Sequence, residues 1–561
     1  MKKSLPHLAV MLSAACLFAA SCKKEKSSQN VSNTNVSTTS DTAGTIKATA
    51  ASLFPNFGFA VTYGNMANVA AYLGTVKREA TFVTFGNELK EGSVVKSDGT
   101  YDYTTADALY NLCATNNLQV YGHTLVWYAQ QNATYLNGLI SALVKPGPGA
   151  TPAPNLLNNL DGDFETGSGN SFTGWNNLAG NGSVATFTAA TGNNSTRAMQ
   201  VAVTTPGTNA YDVQSLGPTF TVSPGHTINF SIDIKAAAAG GKVRVVVQNQ
   251  NYLQYDITPT TSWATYTFSL TVGEASPSIR LNFPVAGTYT IGNIIIQDPS
   301  QANLGTGAVQ PTASQMATAI DAEMRRYIQT TMTHYAGKIK AWDVVNEPLL
   351  DNGQVRTDAN YTIPTANTSN QFLYAQYLGG HRETDNYMLR AFKYARQTAP
   401  DALLFVNDYN LEYSRAKIDS MVTLVKDLNA NGATIDGVGT QMHVNLNTSL
   451  SGIDYAFQAL ASTGLKVRIS ELDIALNVSR SSSYVATTAD LNAQQAMYKY
   501  IISSYIKNVP SAQRYGVTVW GVTDTDSWIN TTLTPDAPLL FDKNYQKKPA
   551  YAGFMEGLKG Q

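Results

Sequence analysis

Cysteine is nearly absent from the 561-residue sequence: there are three, and Cys16 and Cys22 fall within the first 22 positions. Only Cys113 is left for the folded part, so no internal disulfide framework is expected. Charge is scarce as well, at 14% of residues, and 38 Lys+Arg against 39 Asp+Glu leave a formal net charge of -1. That balance leaves no surplus positive field to hold a polyanion such as nucleic acid, and a neutral partner fits better. The six histidines (His7, His123, His226, His334, His381, His443) form no short metal-ligand pair. What is plentiful is apolar surface, at 43% of residues, enough for one large core and at least one smaller one. Aromatic residues make up 10% of the chain, with 30 Tyr and 6 Trp, and flat rings with a polar edge suit sugar faces as well as cores.

Residues 1–22 read as an export signal: a basic start (Lys2, Lys3), an apolar stretch from Leu8 to Ala20, and small residues before a cysteine at Ala19, Ala20, Ser21 and Cys22. The stretch is shorter than the roughly 20 residues a spanning helix needs. Its ending resembles the lipobox of bacterial lipoproteins, although Ala19 stands where that pattern more often has Leu. The resemblance implies that Cys22 becomes the lipidated first residue, placing the protein at the outer membrane or cell surface; plain secretion is the alternative. Residues 23–45 are rich in Lys, Ser, Asn and Thr, bury too little to fold, and read as a tether.

Eight short apolar runs follow, at Phe57–Val61, Ala80–Phe85, Leu118–Tyr121, Ile339–Val345, Leu403–Val406, Ile435–Gly439, Val467–Ile469 and Tyr515–Val519. Helical patterns lie between them, such as Ile418, Met421, Val422, Val425 and Leu428 closed by Asn431-Gly432. Alternation of this kind predicts an α/β fold, and eight units predict a closed (β/α)8, or TIM, barrel. An open doubly wound sheet competes, but no Gly-rich phosphate loop follows the first run. The third and fourth runs are too far apart for a barrel loop. Within that gap the period changes to two, with Ile228, Phe230, Ile232 and Ile234 on one face of a strand and Tyr266, Phe268 and Leu270 on one face of another. An all-β sandwich inserted at 151–304 is expected, dividing the barrel into 46–150 and 305–561.

Two carboxylates stand at expected strand ends, Glu347 and Glu471. Barrels of this kind build their sites on that face. Cleavage of a glycosidic bond needs one acid to protonate the leaving oxygen and one carboxylate at the anomeric carbon, a pair that facing strands can supply. For a single Glu, a structural ion pair is the commoner role. The surroundings change that balance. Tyr121-Gly-His-Thr-Leu-Val-Trp127, Trp342 to Glu347, Leu404-Phe-Val-Asn-Asp-Tyr-Asn410, Ile435 to His443, Ile469-Ser-Glu-Leu-Asp473 and Val519 to Trp528 resemble, in order, the motifs of glycoside hydrolase family 10 endo-β-1,4-xylanases. The resemblance covers about 50–145 and 305–561 and leaves the insert out.

It implies a retaining reaction with Glu347 as general acid/base, kept protonated, and Glu471 as ionised nucleophile, their carboxyls about 5 to 5.5 Å apart. It further implies that Asn346 donates to the sugar 2-hydroxyl, that His443 holds the nucleophile with Asp473 behind it, and that Gln441 and Asn407 line the floor. Asn87, Lys90, His123, Trp127, Trp520 and Trp528 match sugar-binding positions on the glycone side, though His123 and the tryptophans are also residue types that serve as core. Two positions depart from the family: Gly86 replaces a Glu, and Tyr128 replaces a His.

The insert opens with Asn155-Leu-Leu-Asn-Asn-Leu-Asp-Gly-Asp-Phe-Glu165, then Gly174-Trp175, resembling carbohydrate-binding modules of families 4, 9 and 22. The resemblance implies a structural Ca²⁺, for which Glu165 and Asp298 are the candidate ligands. Trp175, Tyr211, Tyr252 and Tyr255 are candidate sugar platforms, while Trp263 is expected in the core. A purely structural insert is the alternative.

The expected function is therefore a monomeric endo-1,4-β-xylanase that needs no catalytic cofactor, acts on xylan or xylo-oligosaccharides, and is tied to a membrane through Cys22. A β-1,4-glucanase, an enzyme acting on both polymers, or a surface glycan-binding protein without activity are the alternatives.

Overall fold

A computed structural model describes residues 44–193, 195–248, 253–380 and 385–561. The export signal, Cys22, most of the tether and Tyr252 lie outside the described residues. Among the described residues, no helix is long and apolar enough to cross a membrane. The chain enters through a short helix, Ile46–Ala50, capped by the Thr45 side chain and pinned where the Ile46 N–H donates to the buried Glu79 carboxylate at 3.0 Å.

Each of the eight apolar runs lies on a parallel strand: Asn56–Val61, Phe82–Phe85, Gln119–Tyr121, Ala341–Asn346, Leu403–Asp408, Gly437–Thr440, Lys466–Ala475 and Arg514–Val519. Seven neighbouring pairings join them in sequence, the eighth strand returning to the first. The seam between third and fourth strands is closed by bridges from Gly122 to Trp342 and from Val126 to Val345. A Cβ on Gly122 would stand 2.1 Å from the Trp342 indole, so only glycine lets the seam close. The expected barrel is the observed one.

Strand bounds differ from the apolar runs by one or two residues, except in the seventh. That strand continues through Glu471 and Asp473 because a short extra strand, His443–Asn445, pairs with its far end and sets His443 opposite Asp473. The helix expected around Ile418 spans Arg415–Ala430; Leu424 takes the buried place expected of Val422, which is only half-buried. Inside the barrel, Phe82, Tyr121 and Phe405 form an aromatic plug. Against it lies the fully buried Arg468, stacked 3.4 Å from the Tyr121 ring and donating to Thr84 and Thr518. Layers of this kind fill the barrel and leave the strand ends to form the site.

The insert departs after helix Ala133–Ser141 and returns before helix Ala313–His334. Its stem is a paired ribbon in which Lys145 bridges Val309 and Thr151 bridges Asn303. Beyond it, two five-stranded antiparallel sheets enclose a core that includes Ile228, Phe230, Ile232 and Ile234. Phe268 joins that core, but Tyr266 and Leu270 are only partly covered. Their strand, Ala264–Thr271, is the outermost of its sheet, where the opposing sheet covers less.

Candidate active site

Glu347 directly follows the fourth strand, with a left-handed backbone (φ +53°) that turns the chain away from the strand. Its N–H donates to the Asn407 carbonyl at 2.7 Å, and its Oε1 accepts from Gln441 Nε2 at 2.9 Å. Glu471 sits on the seventh strand, 5% exposed. Its N–H donates to the Gln441 carbonyl at 3.0 Å, and its Oε1 accepts from Asn407 Nδ2 at 2.8 Å. Asn407 and Gln441 thus each grip one carboxylate by side chain and the other residue's backbone by carbonyl. This crossed bracing couples the positions of the two groups through the fifth and sixth strands, the kind of support that fixes catalytic geometry.

The polar floor extends from there. Asn407 Nδ2 also donates to Asn346 Oδ1 at 2.9 Å, and Asn407 Oδ1 accepts from Ser470 Oγ at 2.6 Å. With its oxygen taken, Asn346 has only its amide N–H groups to offer, and one already reaches Glu347 at 3.4 Å. His443 lies between two carboxylates, its Nδ1 2.9 Å from Asp473 and its Nε2 3.3 Å from Glu471. Asp473 also accepts from Trp528 Nε1 at 3.0 Å. Burial alone would lower the His443 pKa, but the charges and hydrogen bonds of Asp473 and Glu471 outweigh it and carry the imidazole up to about 10. Burial alone would likewise raise Glu471. The hydrogen bond from His443, with the pull of His123, His443 and Lys90, holds it at about 2 instead. Glu471 is therefore an anion throughout the neutral range, and His443 its cationic partner.

That arrangement predicts a pH effect. His443→Gln keeps a hydrogen-bonding side chain but removes the charge, so burial is opposed by less and the Glu471 pKa rises. The acid limb of kcat/KM is expected to move up by about 1 to 3 pH units. A profile measured between pH 3 and 8 that superimposes on the wild type would contradict this.

The remaining expected residues line one cleft of about 790 Å³. Lys90, 6% exposed, has its ammonium 5.1 Å from the Trp127 ring and 3.3 Å from Asn87 Oδ1. Burial lowers its pKa to about 8 against the opposing pull of Glu471 and Glu347. His123 pairs with Asp343 at 2.9 Å and meets Trp520 edge to face, and Trp528 stands edge-on to His443. Trp528 is 55% exposed, a ring available to a ligand and not a core plug. Gly86 lines the cleft too, and a Cβ there would meet only Val61 O at 3.4 Å and Thr62 Cγ2 at 3.6 Å.

Some participants escaped the sequence reading. Tyr128 lies beneath the Arg356 guanidinium at 3.8 Å, and the other side of that cation faces Tyr361 at 4.6 Å. Arg356 also donates to Tyr409 Oη at 3.2 Å. The phenol at position 128 is thus fixed by a cation, and burial, with the nearby Glu347 charge, pushes its hydroxyl well above the usual range. Gln130, exposed on the cleft wall, carried no signal beyond its place after Trp127. Asp343, which orients His123, lay inside a noted motif and was hidden by its apolar neighbours.

In the insert, the two residues expected to hold calcium are engaged by different protein donors. Glu165 accepts from Thr196 Oγ1 and the Arg197 N–H, whereas Asp298 is engaged by His226, Ser300 and Gln301. Each of the four oxygens accepts from at least one protein donor. Among the described residues, no group of three or more His, Cys, Asp and Glu side chains is placed to hold a metal. The platform expectation is corrected for two residues. Trp175 is 8% exposed, its indole N–H bonded to Asp161 O and its ring against Phe164. Tyr255 stacks on Phe268 at 4.1 Å and belongs to the core margin. Tyr211 is exposed, and Trp263, expected in the core, is half-buried beneath Lys235.

The sequence model described as "Glycosyl hydrolase family 10" matches residues 45–143 and 306–557, more than half of the chain, and that of a "Carbohydrate binding domain" matches 156–289 between them. The chain is 35% identical over 355 residues to "Endo-1,4-beta-xylanase A" of Cellvibrio japonicus (strain Ueda107), covering 59% of this chain and 56% of that protein. It is 36% identical over 258 residues to "Endo-beta-1,4-xylanase Xyn10C" of Cellvibrio japonicus, covering 43% of this chain and 40% of that protein. The chain thus spans about half the length of these curated relatives. Among solved structures, "Structure of GH10 from Paenibacillus barcinonensis" is similar in fold, with a TM-score of 0.55 at 20% identity over 92% of this chain and 97% of that one.

Proposed function

The chain belongs to glycosyl hydrolase family 10, with a carbohydrate-binding domain inserted in its barrel, and from that membership we propose that it is a retaining endo-1,4-β-xylanase. The observation that carries the proposal is the crossed bracing of Glu347 and Glu471 by Asn407 and Gln441.

In the first step Glu347 gives its proton to the glycosidic oxygen while Glu471 attacks the anomeric carbon from the opposite face. The leaving sugar departs and a covalent glycosyl-enzyme remains. Glu347, now a base, takes a proton from water as that water displaces Glu471 from the anomeric carbon. Both groups come from the chain and the only other reactant is water, so no cofactor enters. His443 keeps Glu471 ionised, and its fixed charge needs no reorganisation as the reaction proceeds. Asn407 leaves the Asn346 amide with only donors to present, which suits the oxygen of a sugar hydroxyl and leaves that hydroxyl's own proton, increasingly acidic as the ring becomes cationic, for a carboxylate acceptor.

Reducing-sugar release from xylan and from cellulose tests this reading. Release from xylan in preference to cellulose is expected; preference for cellulose would favour a β-1,4-glucanase, and release from neither would favour a glycan-binding role. Export and lipidation at Cys22 belong to the same proposal and rest on residues 1–22 alone. Loss of labelled fatty acid in Cys22→Ser would support them, and unchanged labelling would contradict them.

The glycine at 86 yields a further prediction. Space exists for a side chain there, and Gly86→Glu would add a carboxylate beside Asn87. A hydrogen bond to a charged group contributes about 1.5–3 kcal/mol, so the substitution is expected to shift initial cleavage of xylohexaose toward products that place more units near Asn87. An unchanged distribution of initial products would show that position 86 does not touch the substrate.

A further inference from the structure

The chain that leaves Glu347 turns back on itself almost at once. Leu349 bridges Val355, the Leu350 N–H donates to Gln354 O at 2.8 Å, and Gly353 takes the left-handed conformation (φ +81°) that favours glycine in such a turn. The return brings the Arg356 N–H to Pro348 O at 2.8 Å, next to Glu347 in the chain. The Arg356 side chain is 4% exposed, with its guanidinium over the Tyr128 and Tyr361 rings and donating to Tyr409 Oη. Tyr128, Tyr409 and Glu347 all line the cleft, and Arg356 does not. A positive charge is thus buried behind the wall to which Glu347 belongs.

That charge has no counter-ion of its own. Lys417, a second buried cation of this region, is paired with Asp408 at 3.0 Å, the carboxylate that also accepts from the Leu349 N–H. Arg356, among the described residues, forms no ion pair with a carboxylate. Its hydrogen bonds go to the Leu349 carbonyl and the Tyr409 phenol, and its buried Nε–H has no acceptor. Burial of a cation is unfavourable unless it is compensated, and ring faces with neutral acceptors offset only part of that. The acidic groups that act on Arg356 are the Tyr128 and Tyr409 phenols and Glu347. Glu347 is faced by Lys90 and Asp408 as well, but Lys90 divides its pull between both catalytic carboxylates and Asp408 is matched by Lys417. Arg356 is the cation left over.

We propose that Arg356 is a positioning residue for the acid/base, an uncompensated cation that stabilises the negative charge Glu347 acquires as it gives up its proton. In the first step that proton passes to the glycosidic oxygen, the bond from that oxygen to the anomeric carbon breaks, and Glu471 closes the new one; Arg356 exchanges no proton. Its charge is fixed in advance, so nothing has to reorganise as the carboxylate forms. In the second step the sign is reversed, because Glu347 loses its charge on taking a proton from water, and the cation gives no help there. The inference rests on the reading of Glu347 as acid/base and adds the group that stabilises its conjugate base. It also gives a part to Tyr128, whose ring seats the cation.

Arg356→Met removes the charge and keeps most of the stem. The experiment compares kcat/KM on xylotetraose, whose leaving sugar needs a proton, with kcat/KM on dinitrophenyl xylobioside, whose leaving group does not. In the variant, xylotetraose is expected to lose about tenfold and the aryl substrate less than about twofold, so the ratio of the two changes by about five- to tenfold. Arg356→Lys, which keeps the charge, is expected to hold the ratio within about twofold of the wild type. The ratio is independent of how much protein is active, and Arg356→Gln is read in the same way should the methionine impair folding. Equal losses on the two substrates would make Arg356 a structural support alone, and a ratio in Arg356→Lys as altered as in Arg356→Met would place the effect in the stacking and not in the charge; either result overturns the proposal. A wild type that cleaves neither substrate would instead refute the xylanase reading.

Discussion

Glu471→Ala is expected to lose at least about 10⁴-fold in kcat, on xylan and on aryl xylosides alike. The nucleophile forms the bond that defines the intermediate, so no choice of leaving group compensates for its removal. The site around it would be left worse than neutral. His443 would keep its charge against Asp473 while losing its second partner, and Asn407 Nδ2 would lose one acceptor. Initial-rate measurements on both substrate types check this, and an aryl xyloside still cleaved at a tenth of the wild-type rate would exclude Glu471 as nucleophile.

Glu347→Ala is expected to behave differently, and the difference is diagnostic. General acid catalysis is worth about 10² to 10⁴-fold, and it matters most when the leaving oxygen is a poor anion, as a sugar alkoxide is. Hydrolysis of xylan should fall by that factor. A nitrophenyl xyloside leaves without help, so its first step should be nearly unaffected, while the second step, which needs Glu347 as base, becomes slow. A burst of nitrophenol followed by slow turnover is therefore expected, with azide raising the slow rate because it needs no deprotonation. Equal losses on both substrates, without a burst, would remove Glu347 from the acid/base role.

The architecture was legible because parallel barrel strands are buried on both faces and so appear as short continuous apolar runs, and the eight runs are the eight strands. The identity of the catalytic floor was legible from motifs at strand ends. The way the floor is joined was not. That Asn407 and Gln441 each serve both carboxylates depends on backbone carbonyls, which every residue has and no sequence pattern distinguishes. Arg356 and Tyr128 stand on different loops with the whole insert between them in the chain, and only the folded barrel sets the cation on the phenol.

In the insert, period two sorts the residues of a strand onto faces but says nothing of how far the opposing sheet extends. Tyr266 and Leu270 therefore end half-covered on an outermost strand, and Trp175, which reads as a platform, is turned inward where its N–H finds Asp161 O. Glu165 and Asp298 had the right chemistry for calcium, but the donors that other strands and loops bring to them have no signature in the sequence.

Every step assigned to Glu347 and Glu471 requires two displacements at one carbon, and each displacement inverts it. Proton NMR of xylo-oligosaccharide hydrolysis, recorded before mutarotation sets in, reads the outcome directly. The β-anomer of the newly formed reducing end must appear first and decay toward equilibrium. An α-anomer appearing first would mean that water, and not Glu471, attacks the substrate.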